Sequence, residues 1–201
     1  RYNHYEAAFA ALLRDRRISH IAVDESRRSY DGAVSIKSLD FIVHGRGGER
    51  LVVDIKGRRY PGGRPEKPKH TWECWATRED VDDAQRWAAQ FGAGYQAVFI
   101  FSYHLIASEL YPPRIQPALS INPSHPPANA SPGTRETPVA GPEETLWTWQ
   151  DRRYCLRAIP VVEYAQSMKV RSSKWGTVYL PTQEFRRLAR PLSNLLPEVR
   201  A

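Results

Sequence analysis

Apolar residues recur at helical spacing from the start of the chain. Tyr5, Ala8, Phe9, Leu12 and Leu13 share one face and Asn3 stands at an N-cap position, which predicts a helix over residues 3–17. Ile18–Val23 reads as a short strand, and the polar stretch Arg27–Ala33 carries the turn signal Asp31-Gly32. The period then drops to two. In Ser35–His44, Leu39, Phe41 and Val43 alternate with Asp40, Ile42 and His44; in Glu49–Arg58, Leu51, Val53 and Ile55 alternate with Val52, Asp54 and Lys56. Two such runs around Gly45-Arg46-Gly47-Gly48 predict a β-hairpin.

Residues 60–76 are rich in Pro, Gly, Lys and Trp and read as a loop. Thr77, with Asp80 three positions later, forms a capping box for a helix over 78–91. Its apolar face is Val81, Ala84, Trp87, Ala88 and Phe91, and Gly92 closes it. Tyr95–Tyr103 is almost continuously apolar, as in a strand covered on both faces. Between Pro112 and Pro142 lie nine of the sixteen prolines, a composition that forms no core and reads as a flexible insertion. Structure resumes at Leu146, with strand-like runs at Tyr154–Tyr164 and Thr177–Leu180 and a short helix at Thr182–Leu188. The expected architecture is an α/β sandwich with a mixed sheet. It divides into a core over 1–110, a Pro-rich insertion over 111–145, and a basic C-terminal part over 146–201 packed on the same domain.

Composition narrows the partners. The chain has 201 residues, enough for one core, and a formal charge of +7. From Leu146 to Ala201, ten Lys or Arg stand against four Asp or Glu, and Arg outnumbers Lys by 23 to 6 overall. A basic, arginine-rich face suits a polyanion such as nucleic acid, although solubility alone also accounts for net charge. No run approaches the roughly 20 apolar residues of a membrane span. Charges punctuate Tyr2–Arg17, unlike a signal peptide, and the absence of an initiator Met at Arg1 points to a trimmed start. Cys74 and Cys155 make neither a zinc knuckle nor a disulfide framework, so two reduced thiols and a cytoplasmic location are expected.

Asp40 and Asp54 each lie seven positions from Gly47, so a hairpin centred there sets them side by side. Their Cβ atoms would then be roughly 4.5–5.5 Å apart. Two half-buried carboxylates at that spacing repel, and a divalent cation between them reverses the sign; Mg²⁺ takes one or two carboxylates with waters. Lys56 follows on the same face as Asp54, and the carbonyl of Ile55 between them offers another hard oxygen. Such a set suits phosphodiester hydrolysis, the metal lowering the pKa of a bound water and Lys56 orienting water or phosphate. An ordinary charged strand face with an Asp–Lys pair has the same spacing. Glu6, inward on the first helix, is a further candidate ligand, or else an acid complementing the helix dipole. Gln85 flanks the second helix's apolar face, within reach of Lys56 or substrate if it is not simply a surface glutamine. Trp72 and Trp75, with Arg58, Arg59, Arg64, Lys67 and Lys69, can stack bases and bind phosphates or can serve loop packing. The six histidines show no HExxH or HNH-like spacing, and there is no GxSxG elbow or phosphate loop.

Asp40, then Asp54-Ile55-Lys56 on the next strand, with Glu6 on an upstream helix, resembles the PD-(D/E)XK nuclease superfamily, with Leu39 in place of its proline. The element order over residues 3–103 is similar to that superfamily's αβββαβ restriction-endonuclease-like core. The resemblance implies a Mg²⁺-dependent nuclease, with Mn²⁺ as a substitute ion, cutting DNA rather than RNA, and leaves a homodimer open. It implies metal ligands at Asp40 and Asp54 and a catalytic lysine at Lys56. The start, Asn3-His4-Tyr5-Glu6-Ala7-Ala8-Phe9-Ala10, also resembles a bacterial group named for an HYExAFE motif, with Ala10 replacing the final glutamate. Two other readings stand beside the enzyme. One is a non-catalytic nucleic-acid-binding protein that retains the fold, and the other is an interaction module acting through its Pro-rich segment.

Overall fold

The computed structural model describes residues 3–24, 29–31, 34–106 and 146–196. The Pro-rich segment and the last five residues lie outside them, as does Gly32 of the expected turn. Helix α1 (His4–Asp15) starts where Asn3 accepts the N–H groups of Tyr5 and Glu6. Strand β1 (Ser19–Ala22) follows, then a two-stranded ribbon of β2 (Ser29–Asp31) and β3 (Val34–Ile36), β4 (Phe41–His44) and the long β5 (Arg50–Tyr60). The loop expected at 60–76 holds a small ribbon of β6 (Gly62–Arg64) and β7 (Lys67–Lys69), and β8 (Ala76–Thr77) leads into α2 (Arg78–Phe91). Then come β9 (Tyr95–Leu105), β10 (Leu146–Trp149), β11 (Arg152–Pro160), α3 (Val161–Ser167), β12 (Lys169–Ser172), β13 (Thr177–Tyr179) and α4 (Thr182–Leu188).

Six strands form the main sheet in the order β1-β4-β5-β9-β11-β10. Only β5 and β9 run parallel, joined by the crossover through α2; every other neighbour is antiparallel. The α/β class and mixed sheet are as expected, and α1, β1, β4, β5, α2 and β9 keep the helix–three-strand–helix–strand order. Residues 146–160 extend the same sheet beyond β9.

Helix α1 buries Phe9, Leu12 and Leu13 with Phe41, Val53 and Ile55 on one face of the sheet. On the opposite face Val81 and Ala84 of α2 meet Val52, Phe99 and Phe101, and Tyr164 and Phe185 complete that layer. Gly57 is a contact point of the α1 face: a Cβ there would lie 2.3 Å from the Tyr5 ring. Glycine lets the helix start sit directly on β5.

Two strand expectations need correction. The run Ser35–His44 is not one strand, because residues 37–40 lie between β3, which belongs to the separate β2–β3 ribbon, and β4 of the main sheet. Side chains enter the bonding here: the Lys37 N–H donates to Asp83 at 2.9 Å, and the Asp40 carboxylate accepts the Ile55 N–H while its own backbone stays bonded to Val53 and Val23. The run Tyr154–Tyr164 stops being a strand at Pro160, and its end forms α3. Val161 and Tyr164 are fully buried while Val162 is 54% exposed, which is helical spacing hidden beneath two β-branched valines.

Candidate active site

Strand β5 is the centre of the site because its two faces carry different chemistry. Val53, Ile55 and Gly57 face α1, whereas Val52, Asp54 and Lys56 face α2. Lys56 is buried, at 7% exposure, with its Nζ 2.6 Å from Asp54 Oδ2 and 2.9 Å from Asp80 Oδ2. The other Asp80 oxygen accepts Lys37 Nζ at 2.5 Å, and Asp80 Oδ2 also accepts the Thr77 N–H that caps α2. The capping box therefore does two things: it starts the helix and it turns a buried carboxylate onto Lys56.

The hairpin register is the expected one for four pairs, from His44–Arg50 to Phe41–Val53. Asp40 lies one step beyond the ladder. Its N–H donates to the Val53 carbonyl at 2.9 Å, and its carboxylate accepts the N–H of Ile55, the residue between Asp54 and Lys56. Since β4 begins at Phe41, that carboxylate does for Ile55 what a further strand residue would have done. In extended chain a residue's N–H and C=O point to the same side, so the Ile55 carbonyl is directed to the edge where Asp40 stands. Asp40, Asp54, Ile55 and Lys56 are thus brought to one point of the sheet.

The electrostatics of this point are unbalanced. Among the described residues Asp54 and Asp80 hold the Lys56 ammonium, Asp80 also holds that of Lys37, and the Asp40 charge acts on Lys37 from further away. Burial pushes the Asp54 carboxyl above the usual carboxylate range; Lys56 opposes this, and the neighbouring Asp80 charge reinforces it. Asp80 goes the other way. Burial would raise it, but Lys56, Lys37 and the Thr77 N–H hold it well below the usual range. Lys37, despite burial, is held above its ordinary value by Asp80 and by the charges of Asp54 and Asp40.

A cavity of about 10 Å³, room for one water molecule, lies against Asp54, Asp80, Asp83 and Lys37. Among the described residues no three His, Cys, Asp or Glu side chains converge as a metal-binding group. Mg²⁺ does not require three, being held by one or two carboxylates with waters. Asp40, Asp54 and the Ile55 carbonyl are hard oxygen donors, the donor type that such an ion takes.

The remaining expected residues are scattered. Glu6 lies in the first turn of α1, where the Asn3 amide donates to its carboxylate, on the helix covering the opposite face from Asp54 and Lys56. Gln85 is exposed on α2. Arg58 turns inward, its guanidinium 4.1 Å from the centre of the Trp75 ring and bonded to the Trp75 carbonyl. Arg59, Lys67 and Lys69 are exposed, and Trp72 is half-buried. Sequence reasoning missed Lys37 and the second role of Asp80. One signal was present: Asp80 and Asp83 fall on the same helical stripe as Val81, Ala84 and Trp87, so both had to be buried and paired.

No protein-family model and no curated protein matches the chain. Among solved structures it is similar to a Holliday junction resolvase, Hjc, from the archaeal hyperthermophile Archaeoglobus fulgidus. The identity is 11%, the TM-score 0.46, and the alignment covers 98% of this chain and 96% of that one. No helix among the described residues is long and apolar enough to cross a membrane.

Proposed function

We propose that this chain is a Mg²⁺-dependent nuclease that hydrolyses phosphodiester bonds of DNA. The observation that carries the reading is the convergence at β5: a buried Lys56 paired with half-buried Asp54 on one face, with the Asp40 carboxylate bonded to the peptide between them. Ion-pair networks that serve only stability also bury charge. What supports a functional pair here is that burial disfavours the ionised form of Asp54 at the same point where the Asp40 carboxylate and the Ile55 peptide meet β5.

Asp40, Asp54 and the Ile55 carbonyl would hold the cation. Bound there, Mg²⁺ would supply a water of lowered pKa and positive charge against the negative charge on the phosphoryl oxygens. Lys56 has three N–H donors, two of them directed at Asp54 and Asp80, and the third is available for the attacking water or a non-bridging phosphate oxygen. Asp80 positions Lys56 and Thr77 fixes Asp80. Burial by Phe99, whose ring centre is 5.2 Å from Lys56 Nζ, keeps bulk water from competing with these contacts.

One observation favours a second reading. Lys56 already bridges Asp54 and Asp80, as a cation would, with Lys37 on the other Asp80 oxygen, and a nucleic-acid-binding protein that retains the fold without catalysis would keep that arrangement. Calorimetric titration with Mg²⁺ and Mn²⁺, alongside cleavage assays on several DNA forms, separates the two. An absence of both ion binding and cleavage in well-folded protein would sink the nuclease reading.

A further inference from the structure

A second site lies further along β5. Tyr60 and Trp72 stack with ring centres 4.2 Å apart and planes 11° from parallel, at the wall of a cleft of about 620 Å³. Arg171 from β12 and Arg186 from α4 also line it, with Lys69 adding charge and Glu73 the only acid of the lining. Trp75 borders the same cleft with two guanidinium groups against its ring, Arg58 at 4.1 Å and Arg171 at 5.1 Å from its centre. A volume in the range of ligand sites, flat aromatic walls and an excess of cations fit one chemistry: an aromatic ring carrying phosphate.

The cleft is built rather than incidental. Its floor is the backbone at Glu73–Trp75, and three buried or half-buried side chains hold that backbone from beneath. Tyr103 Oη donates to the Glu73 carbonyl at 3.0 Å, Tyr164 Oη to the Cys74 carbonyl at 2.8 Å, and Arg58 to the Trp75 carbonyl at 2.5 Å. No element of the proposed hydrolytic site requires these bonds. They fix a loop that would otherwise be free to collapse onto its own aromatic residues.

We infer that this cleft takes an unpaired nucleotide of the nucleic-acid strand, its base against the Tyr60–Trp72 pair and its phosphate at Arg171 and Arg186. The inference rests on the nuclease reading only in that both sites meet a nucleic acid. Lys56 and Tyr60 are on the same strand, about 13 Å apart at roughly 3.3 Å per residue, so one strand could run through both. The β12–β13 hairpin extends the path: Trp175 at its turn is 71% exposed, with Lys174 Nζ 5.3 Å from its ring centre. A paired base cannot enter such a cleft without leaving its stack, so single-stranded DNA is the preferred form.

The test is fluorescence anisotropy of a labelled oligothymidylate and of a blunt duplex of equal length, with full-length protein and a chelator present. The single strand should bind about tenfold tighter and quench tryptophan emission. The surface double variant Arg171→Ala/Arg186→Ala should weaken it about tenfold and reduce the slope of log K against log salt by about 1.4. Trp72→Phe should retain binding and Trp72→Leu lose it. A duplex that binds equally well, or a double variant with unchanged affinity and slope, overturns the proposal. Because no Mg²⁺ is present, loss of the cleavage reading leaves this result intact. Cleaving protein with an unchanged double variant rejects the cleft alone.

Discussion

Asp54→Asn separates a functional carboxylate from a structural ion pair, and its direction follows from the charges around it. Lys56 Nζ is 2.6 Å from Asp54, an attraction of about 6 kcal/mol at an effective dielectric of about 20. Asp80 touches the same ammonium at 2.9 Å, so the two carboxylates lie within roughly 5.5 Å and repel by about 3 kcal/mol or more. The remaining attraction of about 3 kcal/mol meets a desolvation cost of several kcal/mol per ion. The raised pKa of Asp54 says the balance falls against the charge. A group of this kind stabilises the fold below its unfolded pKa and loses that contribution as pH rises through the folded one. Above the carboxylate range Asp54 is therefore a cost to the fold. We expect Asp54→Asn to stabilise metal-free protein by about 1 kcal/mol, or about 2–4 °C in Tm. The gain should shrink as pH falls through the carboxylate range, where wild type becomes neutral too. Thermal scans by circular dichroism between pH 4 and 8 check this. A variant that melts lower than wild type at pH 7 would refute the reasoning and mark Asp54–Lys56 as an ordinary buried ion pair.

Asp80 should behave in the opposite sense: its depressed pKa gives stability present above the unfolded value of about 3.9 and lost as pH falls through the folded one. Asp80→Asn should cost about 3–5 kcal/mol by leaving Lys56 and Lys37 underpaired, and in urea denaturation a cost below about 1 kcal/mol would contradict this. Gly57→Ala places a methyl group against the Tyr5 ring and should cost about 1–3 kcal/mol, with Tyr5→Ala rescuing part of it; simple additivity of the two would argue against the contact. Removing one hydrogen bond beneath the cleft, Tyr164→Phe should cost about 1 kcal/mol and weaken oligothymidylate binding, and unchanged binding would show that the Cys74 carbonyl needs no anchor.

Much of this architecture was legible because its periodicities are long and its punctuation is standard. The Asn3 and Thr77 caps, the glycine-centred hairpin and the apolar run of β9 each come from local chemistry, and their elements formed close to the expected positions. What local pattern could not show is where polar residues leave a ladder for a tertiary partner. The Lys37 N–H goes to Asp83, and the Asp40 carboxylate, not its backbone, takes the Ile55 N–H. Val161 and Val162 look like strand because β-branched residues favour strands, yet Pro160 ends the ladder and Val161 with Tyr164 are buried at helical spacing. Strand parity put Asp54 and Lys56 on one face, as β5 has them, whereas hairpin symmetry set Asp40 opposite Asp54 and the ladder instead stops at Phe41–Val53, with the Asp40 N–H on the Val53 carbonyl. Asp80 was visible only as a cap, since nothing in a capping box reveals that its carboxylate also reaches a buried lysine across the layer.

The central claim is that Asp40, Asp54 and Lys56 form a hydrolytic site, and cleavage of supercoiled and branched DNA in Mg²⁺ tests it most directly. Wild type should nick or cut at least one form, and chelation should stop it. Asp54→Asn and Lys56→Met should each lose about 100-fold or more in rate while remaining folded. Cleavage that persists at the wild-type rate in either folded variant would contradict the account.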